Sequence, residues 1–238
     1  LKVFTKLKNN WFRQNINDGM KILDIGCGYL NSFVWKNPYL EVDGIDNDMS
    51  IKDKFTKLVN KNNKNVFIQN FAEKWNFEND YIKRKFNNGN CDKLYDIILM
   101  NFSIHYSFST MHGFHNLMTE INRRAINGKT KLMISFIDKD VLFKERDQVD
   151  FEDGGFFRKT HNESLSDVSS MTYYYPWRNN KVNNEKILGY SDLTEELIQY
   201  GWHVHNKYEY IHEYEIVNMG YRELNQAIKR VTFKKINF

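Results

Sequence analysis

Cysteine, proline and long apolar runs are what this 238-residue chain has least of: two cysteines, two prolines and no stretch near membrane-spanning length. Cys27 and Cys91 are too few for a disulfide framework or a zinc site. No metal is therefore expected, and a reducing, intracellular compartment, the cytoplasm, is the expected location. A bilayer span needs ~20 apolar residues, so no membrane partner is expected either. A strong basic bias is also missing. The net charge of +4 falls short of a dedicated nucleic-acid binder, although it leaves room for a local basic face. No internal repeat, long linker or low-complexity tail interrupts the chain. Residues 1–238 are read as one domain, and the start at Leu1 in place of Met predicts a piece of a longer protein.

Hydrophobic patterning supplies the fold class. Residues 20–25, 40–46, 65–70, 95–100 and 130–136 are short apolar runs, as in strands buried on both faces of a parallel sheet. Helical patterns cover residues 5–16, 49–61, 111–126 and 191–200, the last with Ser191 as its N-cap. Strands alternating with helices predict βαβ units, and strands near 202–208 and 230–236 close the sheet. Residues 137–190 differ: they are polar and aromatic, with the acidic, glycine-containing run Phe151-Glu152-Asp153-Gly154-Gly155.

The first strand ends in the turn Asp24-Ile25-Gly26-Cys27-Gly28. Glycines at such a corner let the backbone approach a ligand closely, and open α/β sheets bind ligands at the carboxyl ends of their strands. A dinucleotide site wants G-x-G-x-x-G. Here Gly28 is followed by Tyr29-Leu30-Asn31, so the third glycine is absent and a nicotinamide cofactor is disfavoured. Cys27 occupies a position that asks for a small side chain. Asp46, at the end of the second strand, is a carboxylate that can accept two hydrogen bonds from a vicinal diol. The plainer reading is an ordinary βα turn with a surface acid.

The D-I-G-C-G turn resembles the first motif of the class I S-adenosylmethionine-dependent methyltransferases. That likeness implies a Rossmann-like, mostly parallel seven-stranded sheet flanked by helices. Asn101-Phe102-Ser103-Ile104-His105-Tyr106-Ser107-Phe108 resembles the Q-F-x-x-H-Y-x-F signature of the messenger RNA cap guanine-N7 methyltransferases. Asn9-Asn10-Trp11-Phe12-Arg13 is similar to that family's N-N-aromatic-x-K segment, and Tyr174-Tyr175-Pro176-Trp177 followed by Glu185 is a third match. The flavour is that of capping enzymes from large cytoplasmic DNA viruses, such as poxviruses and African swine fever virus. There the methyltransferase is the C-terminal domain of a longer chain.

The resemblance implies a cofactor site of Asn9, Arg13, Asp24, Gly26, Cys27, Gly28, Asp46, Asn70, Phe71, Asn101, Phe102 and Ser103 for S-adenosylmethionine, released as S-adenosylhomocysteine. Asp46 would hold the ribose and Asn70 would meet the adenine amino group through its side-chain oxygen. Phe71 packs on the adenine or belongs to the core. His105, Tyr106 and Glu185 would bind the cap, with Asp192 and Glu195 as rivals to Glu185. Two positions depart from the family: Arg13 replaces a lysine, and Asn101 replaces a glutamine. The implied partners are RNA with a GpppN 5′ end, upstream triphosphatase and guanylyltransferase domains in the same chain, and a stimulatory subunit.

The chemistry can be argued from guanine itself. N7 carries an exposed lone pair, so no proton has to leave before attack, and the sulfonium is an excellent leaving group. The protein has to hold N7 in line with the methyl, roughly 3 Å away, and exclude water. No catalytic general base is assigned. Lys83-Arg84-Lys85 and Arg123-Arg124 are clusters that either contact RNA or form a solvated face. Two other readings stand beside this one: a methyltransferase for a small molecule or protein, and a catalytically silent cap-binding or subunit-interaction module.

Overall fold

In a computed structural model, the described residues are 2–28, 30–58, 63–73, 75, 93–110, 112–151, 153–160, 170–174, 182–208 and 227–236. Helix α1 (Lys2–Asn15) leads into β1 (Lys21–Ile25), the short α2 (Ser32–Trp35), β2 (Glu41–Asp46), α3 (Ser50–Leu58) and β3 (Lys64–Ile68). Strand β4 (Ile97–Asn101) runs into a 3₁₀ helix (Ile104–Ser109). After it come α4 (Gly113–Arg123), β5 (Lys131–Ile137) and α5 (Lys139–Leu142). Four short strands follow: β6 (Gln148–Asp150), β7 (Phe156–Thr160), β8 (Ser170–Tyr174) and β9 (Val182–Lys186). Helix α6 (Tyr190–Gln199), β10 (Trp202–Tyr208) and β11 (Ile228–Lys235) complete the order.

Seven strands form one sheet in the order β10-β11-β5-β4-β1-β2-β3. The five from β3 to β5 are mutually parallel, whereas β11 runs antiparallel to both β5 and β10. This is the mostly parallel seven-stranded sheet that the resemblance implies, with the apolar runs as its parallel strands. Alternate residues explain why those runs read as continuous. Leu23, Ile25, Ile98, Met100, Leu132 and Ile134 face one core cluster. Ile22, Leu99 and Met133 face the other, where Trp11 and Phe12 of α1 lie over them. Strands buried on both faces have no polar side to show. Among the described residues, no helix is long and apolar enough to cross a membrane.

The polar, aromatic stretch holds a feature that patterning does not reveal, an antiparallel sheet in the order β6-β7-β8-β9. Its apolar side (Val149, Phe157, Met171, Tyr173) shares a cluster with Ile228, against which Phe102 and Ile137 pack. Phe102 follows β4 and Ile137 ends β5. The small sheet is thereby seated beside the carboxyl ends of the parallel strands, where ligands bind in such folds. The N-cap of α6 is Gly189 and not Ser191.

Candidate functional site

The turn after β1 is shaped by contacts that only glycine allows. Gly26 has φ +67°, and a Cβ there would stand 2.3 Å from Ser103 Cβ. Ser103 itself is buried, and its hydroxyl donates to Ile25 O at 2.7 Å. The end of β1 is thus tied to the segment leaving β4. Asp46 accepts from Gly28 N at 2.9 Å through Oδ2 and from Asp48 N at 3.0 Å through Oδ1. Each oxygen keeps a second lone pair for a ligand. Cys27 faces the core: its thiol lies where a Cβ on Gly44 would meet it, and burial pushes that thiol up from its ordinary value.

Asp24 is buried at the end of β1 and accepts from Trp35 Nε1 at 2.7 Å. Burial raises its carboxyl to about 6, although the Trp35 bond works against the rise. A cation from α1 acts on it, and that cation is Lys8 rather than Arg13. The Lys8 ammonium is lowered by burial and by Arg230, while Asp24 pulls it back up. Arg13 is exposed, its guanidinium 6.0 Å from the centre of the Phe33 ring. Asn9 is half-buried on α1. Just beyond the turn, Asn31 Nδ2 is buried and, among the described residues, without a hydrogen-bond partner. Lys8, Arg230 and Asn31 are residues that motif matching passed over.

The remaining cofactor candidates line the same edge. Asn70 lies past the end of β3, exposed, with Oδ1 accepting from Ala72 N at 3.0 Å and Nδ2 donating to Glu73. Phe71 is buried and meets the ring of Tyr106 edge-on, 6.4 Å between centroids. Asn101 accepts from Ser135 Oγ at 2.7 Å, a side-chain contact within the sheet. Phe102 has a positive φ of 56°, a conformation that costs a non-glycine residue about 1–3 kcal/mol.

His105, Tyr106 and Glu185 meet although 79 positions separate Tyr106 from Glu185. Tyr106 OH donates to Glu185 Oε1 at 3.0 Å, and Tyr173 OH donates to the same oxygen at 2.6 Å. His105 Nε2 stands 3.2 Å from Glu185 Oε2, within ion-pair reach but off the hydrogen-bond line. Burial alone would raise Glu185, yet its contacts with His105, Tyr173 and Tyr106 outweigh it and hold the carboxyl below its ordinary value. The His105 and Tyr106 rings are 4.1 Å apart, and Tyr106 is 47% exposed. A charged carboxylate beside an accessible aromatic ring can receive a planar ligand with N–H donors on one edge.

Several sequence candidates lie elsewhere. Asp192 pairs with Lys139 at 2.6 Å, and Glu195 is exposed on α6, so among the described residues neither joins the cluster. Arg124 is corrected from a surface cation to a core one: it is buried, paired with Glu120, and stacked 4.9 Å over Trp75. Arg123 pairs with Glu120 at 3.3 Å. Lys83-Arg84-Lys85, Cys91 and Tyr175-Pro176-Trp177 lie outside the described residues.

Solved structures share this architecture at low identity. An S-adenosylmethionine-dependent methyltransferase from Clostridium acetobutylicum aligns with 99% of this chain and 92% of its own, at 10% identity and a TM-score of 0.61. The CcbJ methyltransferase from Streptomyces caelestis aligns with 98% of this chain and 90% of its own, at 9% identity and 0.65. The glycopeptide N-methyltransferase MtfA, complexed with S-adenosylmethionine, covers 97% of this chain and 93% of its own, at 12% identity and 0.59. No protein-family model matches the chain, and no curated protein matches it. The fold is that of the class I S-adenosylmethionine-dependent methyltransferases.

Proposed function

We propose that this protein transfers the methyl group of S-adenosylmethionine to N7 of the terminal guanine of an RNA cap. The observation that carries the reading is the meeting of His105, Tyr106 and Glu185 beside the glycine turn. Guanine presents two donors, N1–H and the N2 amine, along one edge. A carboxylate held in its charged form by two tyrosine hydroxyls and a histidine suits that edge. Tyr106 offers the exposed ring for the base face.

The residues at the other end fit the cofactor. Gly26 lets the turn pack closely on Ser103 at the carboxyl end of β1, Asp46 has lone pairs left for a ribose diol, and Asn31 Nδ2 is a buried donor with no acceptor among the described residues. Lys8, near Asp24, is a cation suited to a carboxylate. When bound, the cofactor supplies an electrophilic methyl on a sulfonium. The chain's own residues then align the base and exclude water. Held by the glycine turn and Asp46, the cofactor would supply its methyl to a lone pair that N7 already exposes, so no residue of the chain would have to take a proton. Within this reading the chain serves as the methyltransferase unit of a capping enzyme, with capped RNA as its partner.

A small-molecule N-methyltransferase is the second reading, favoured by the likeness in fold to MtfA, which is named for a glycopeptide. Incubation with labelled cofactor and unmethylated GpppN-capped RNA, followed by cap analysis, separates the two. Label on guanine N7 is expected; label on any other atom overturns the cap reading. Cap binding is measured in parallel. Tyr106→Ala is expected to weaken it by ~1–3 kcal/mol, the scale of base–aromatic stacking, while cofactor affinity holds. Loss of cofactor binding with cap binding intact overturns the assignment of Tyr106.

A further inference from the structure

At the opposite end of the seven-stranded sheet lies a cluster of lysines and histidines. Lys131 opens β5 and stands directly across from Lys234 of β11, which in turn stands directly across from His203 of β10. Like charges directly opposite one another on paired strands are destabilising. The Lys131–Lys234 pair therefore costs stability for as long as nothing neutralises it. Edge protection does not explain it, because of these three strands β5 and β11 are interior and β10 alone is at an edge. An open cleft of about 380 Å³ adjoins the row, lined by His203, His205, Lys234 and Lys235 and by the turn Asn127–Gly128.

Charges near these groups confirm the imbalance. His205 is lowered by burial and then by Lys234 and Lys131, and Lys131 by burial and then by Lys234. Among the described residues, no carboxylate counts among the causes acting on either group. Lys131 Nζ donates to a neutral acceptor, Asn15 Oδ1, at 3.4 Å.

We propose that the His203–Lys234–Lys131 row and its cleft bind the phosphodiester backbone of single-stranded RNA. Strands lie ~4.8 Å apart, so the row spans about 10 Å, more than one phosphate group can bridge. Among the described residues the cleft is lined by no Phe, Tyr or Trp, and its charged groups are lysines, so contact is chiefly to the backbone and independent of sequence. RNA as the source, rather than an acidic protein segment, rests on the proposed function. The row sits at the start of β5 and the glycine turn at the carboxyl ends, a strand length of roughly 20 Å apart. The cluster would therefore hold RNA well behind the reacting end.

The test is fluorescence anisotropy of a labelled, uncapped 20-nucleotide RNA with the full chain. A Lys131→Gln/Lys234→Gln variant is expected to bind at least tenfold more weakly. The slope of log affinity against log salt should shrink by about 1.4, two phosphates at ~0.7 each. The Lys131→Arg/Lys234→Arg variant, which keeps both charges, should bind as wild type. Unchanged affinity and slope in the Gln variant overturn the proposal. So does displacement of RNA by inorganic phosphate at equal charge concentration, which marks a single-ion site, or binding of polyglutamate where RNA fails to bind. Should the Gln variant not fold, photo-crosslinking of 4-thiouridine RNA to wild-type protein decides. Crosslinks in 127–131, 203–205 or 234–236 support the site, and crosslinks confined elsewhere overturn it. The probe carries no cap, so failure of cap methylation and failure of this site are read separately.

Discussion

Asp24→Asn should make the ligand-free protein more stable at neutral pH. Burial raises Asp24 from an ordinary 3.8 to about 6, so above pH 6 the fold carries a buried charge that the unfolded chain holds in water. A gap of roughly two pH units, at ~1.4 kcal/mol each, costs about 3 kcal/mol. The sign follows from proton binding. Between 3.8 and 6 the folded state keeps a proton that the unfolded state has lost, so stability falls as pH rises and levels off above 6. Asparagine removes the charge and keeps an oxygen to accept from Trp35 Nε1. Urea unfolding at pH 7.5 should show the variant more stable by up to about 3 kcal/mol, and at pH 5.0 by about half of that. An equal gain at both pH values, or none at pH 7.5, would refute the electrostatic account. The same variant should lose cofactor affinity by calorimetry, because stability forgone at a buried charge is the usual mark of a functional position.

Three further outcomes are expected. Gly26→Ala should destabilise by about 2–5 kcal/mol in chemical unfolding, since an alanine at φ +67° meets Ser103; an unchanged midpoint would mean that the turn is free to move. Lys93→Met should cost about 3–5 kcal/mol, because Asp43 is buried and Lys93 is its cationic partner, with Tyr95 and Asn65 supplying only neutral donors; a thermal melt checks it. Tyr173→Phe removes one donor from Glu185 Oε1, so the Glu185 carboxyl should titrate at higher pH by carbon-detected NMR, and no movement would remove Tyr173 from the site.

The seven-stranded sheet is legible in the sequence because its central strands are buried on both sides and so read as unbroken apolar runs. Strands β6–β9 escape that reading: Val182–Lys186 is largely polar and half-exposed, with no alternation to count. The glycine turn and Asp46 are legible because they sit at fixed places after strands. Lys8 is not, since the N-N-aromatic pattern draws attention forward to Arg13. A helical wheel separates the two. Lys8, Phe12 and Asn15 recur at i, i+4 and i+7 on the inward stripe of α1, and Arg13 falls on the outward one. The approach of Glu185 to His105 depends on how two sheets pack, which no local pattern encodes.

The Glu185 contacts fasten the two sheets to each other, since the carboxylate sits on β9 and its histidine partner on the 3₁₀ helix after β4. A substrate that engages this carboxylate must share or replace those bonds, so arrival of the ligand loosens one fastening as it makes another. Selectivity is then partly a matter of exchange: a molecule that cannot substitute for the tyrosine hydroxyls leaves the latch shut. It also means that the small sheet can be altered to suit a new acceptor while the glycine turn and Asp46, which belong to the parallel sheet, stay as they are.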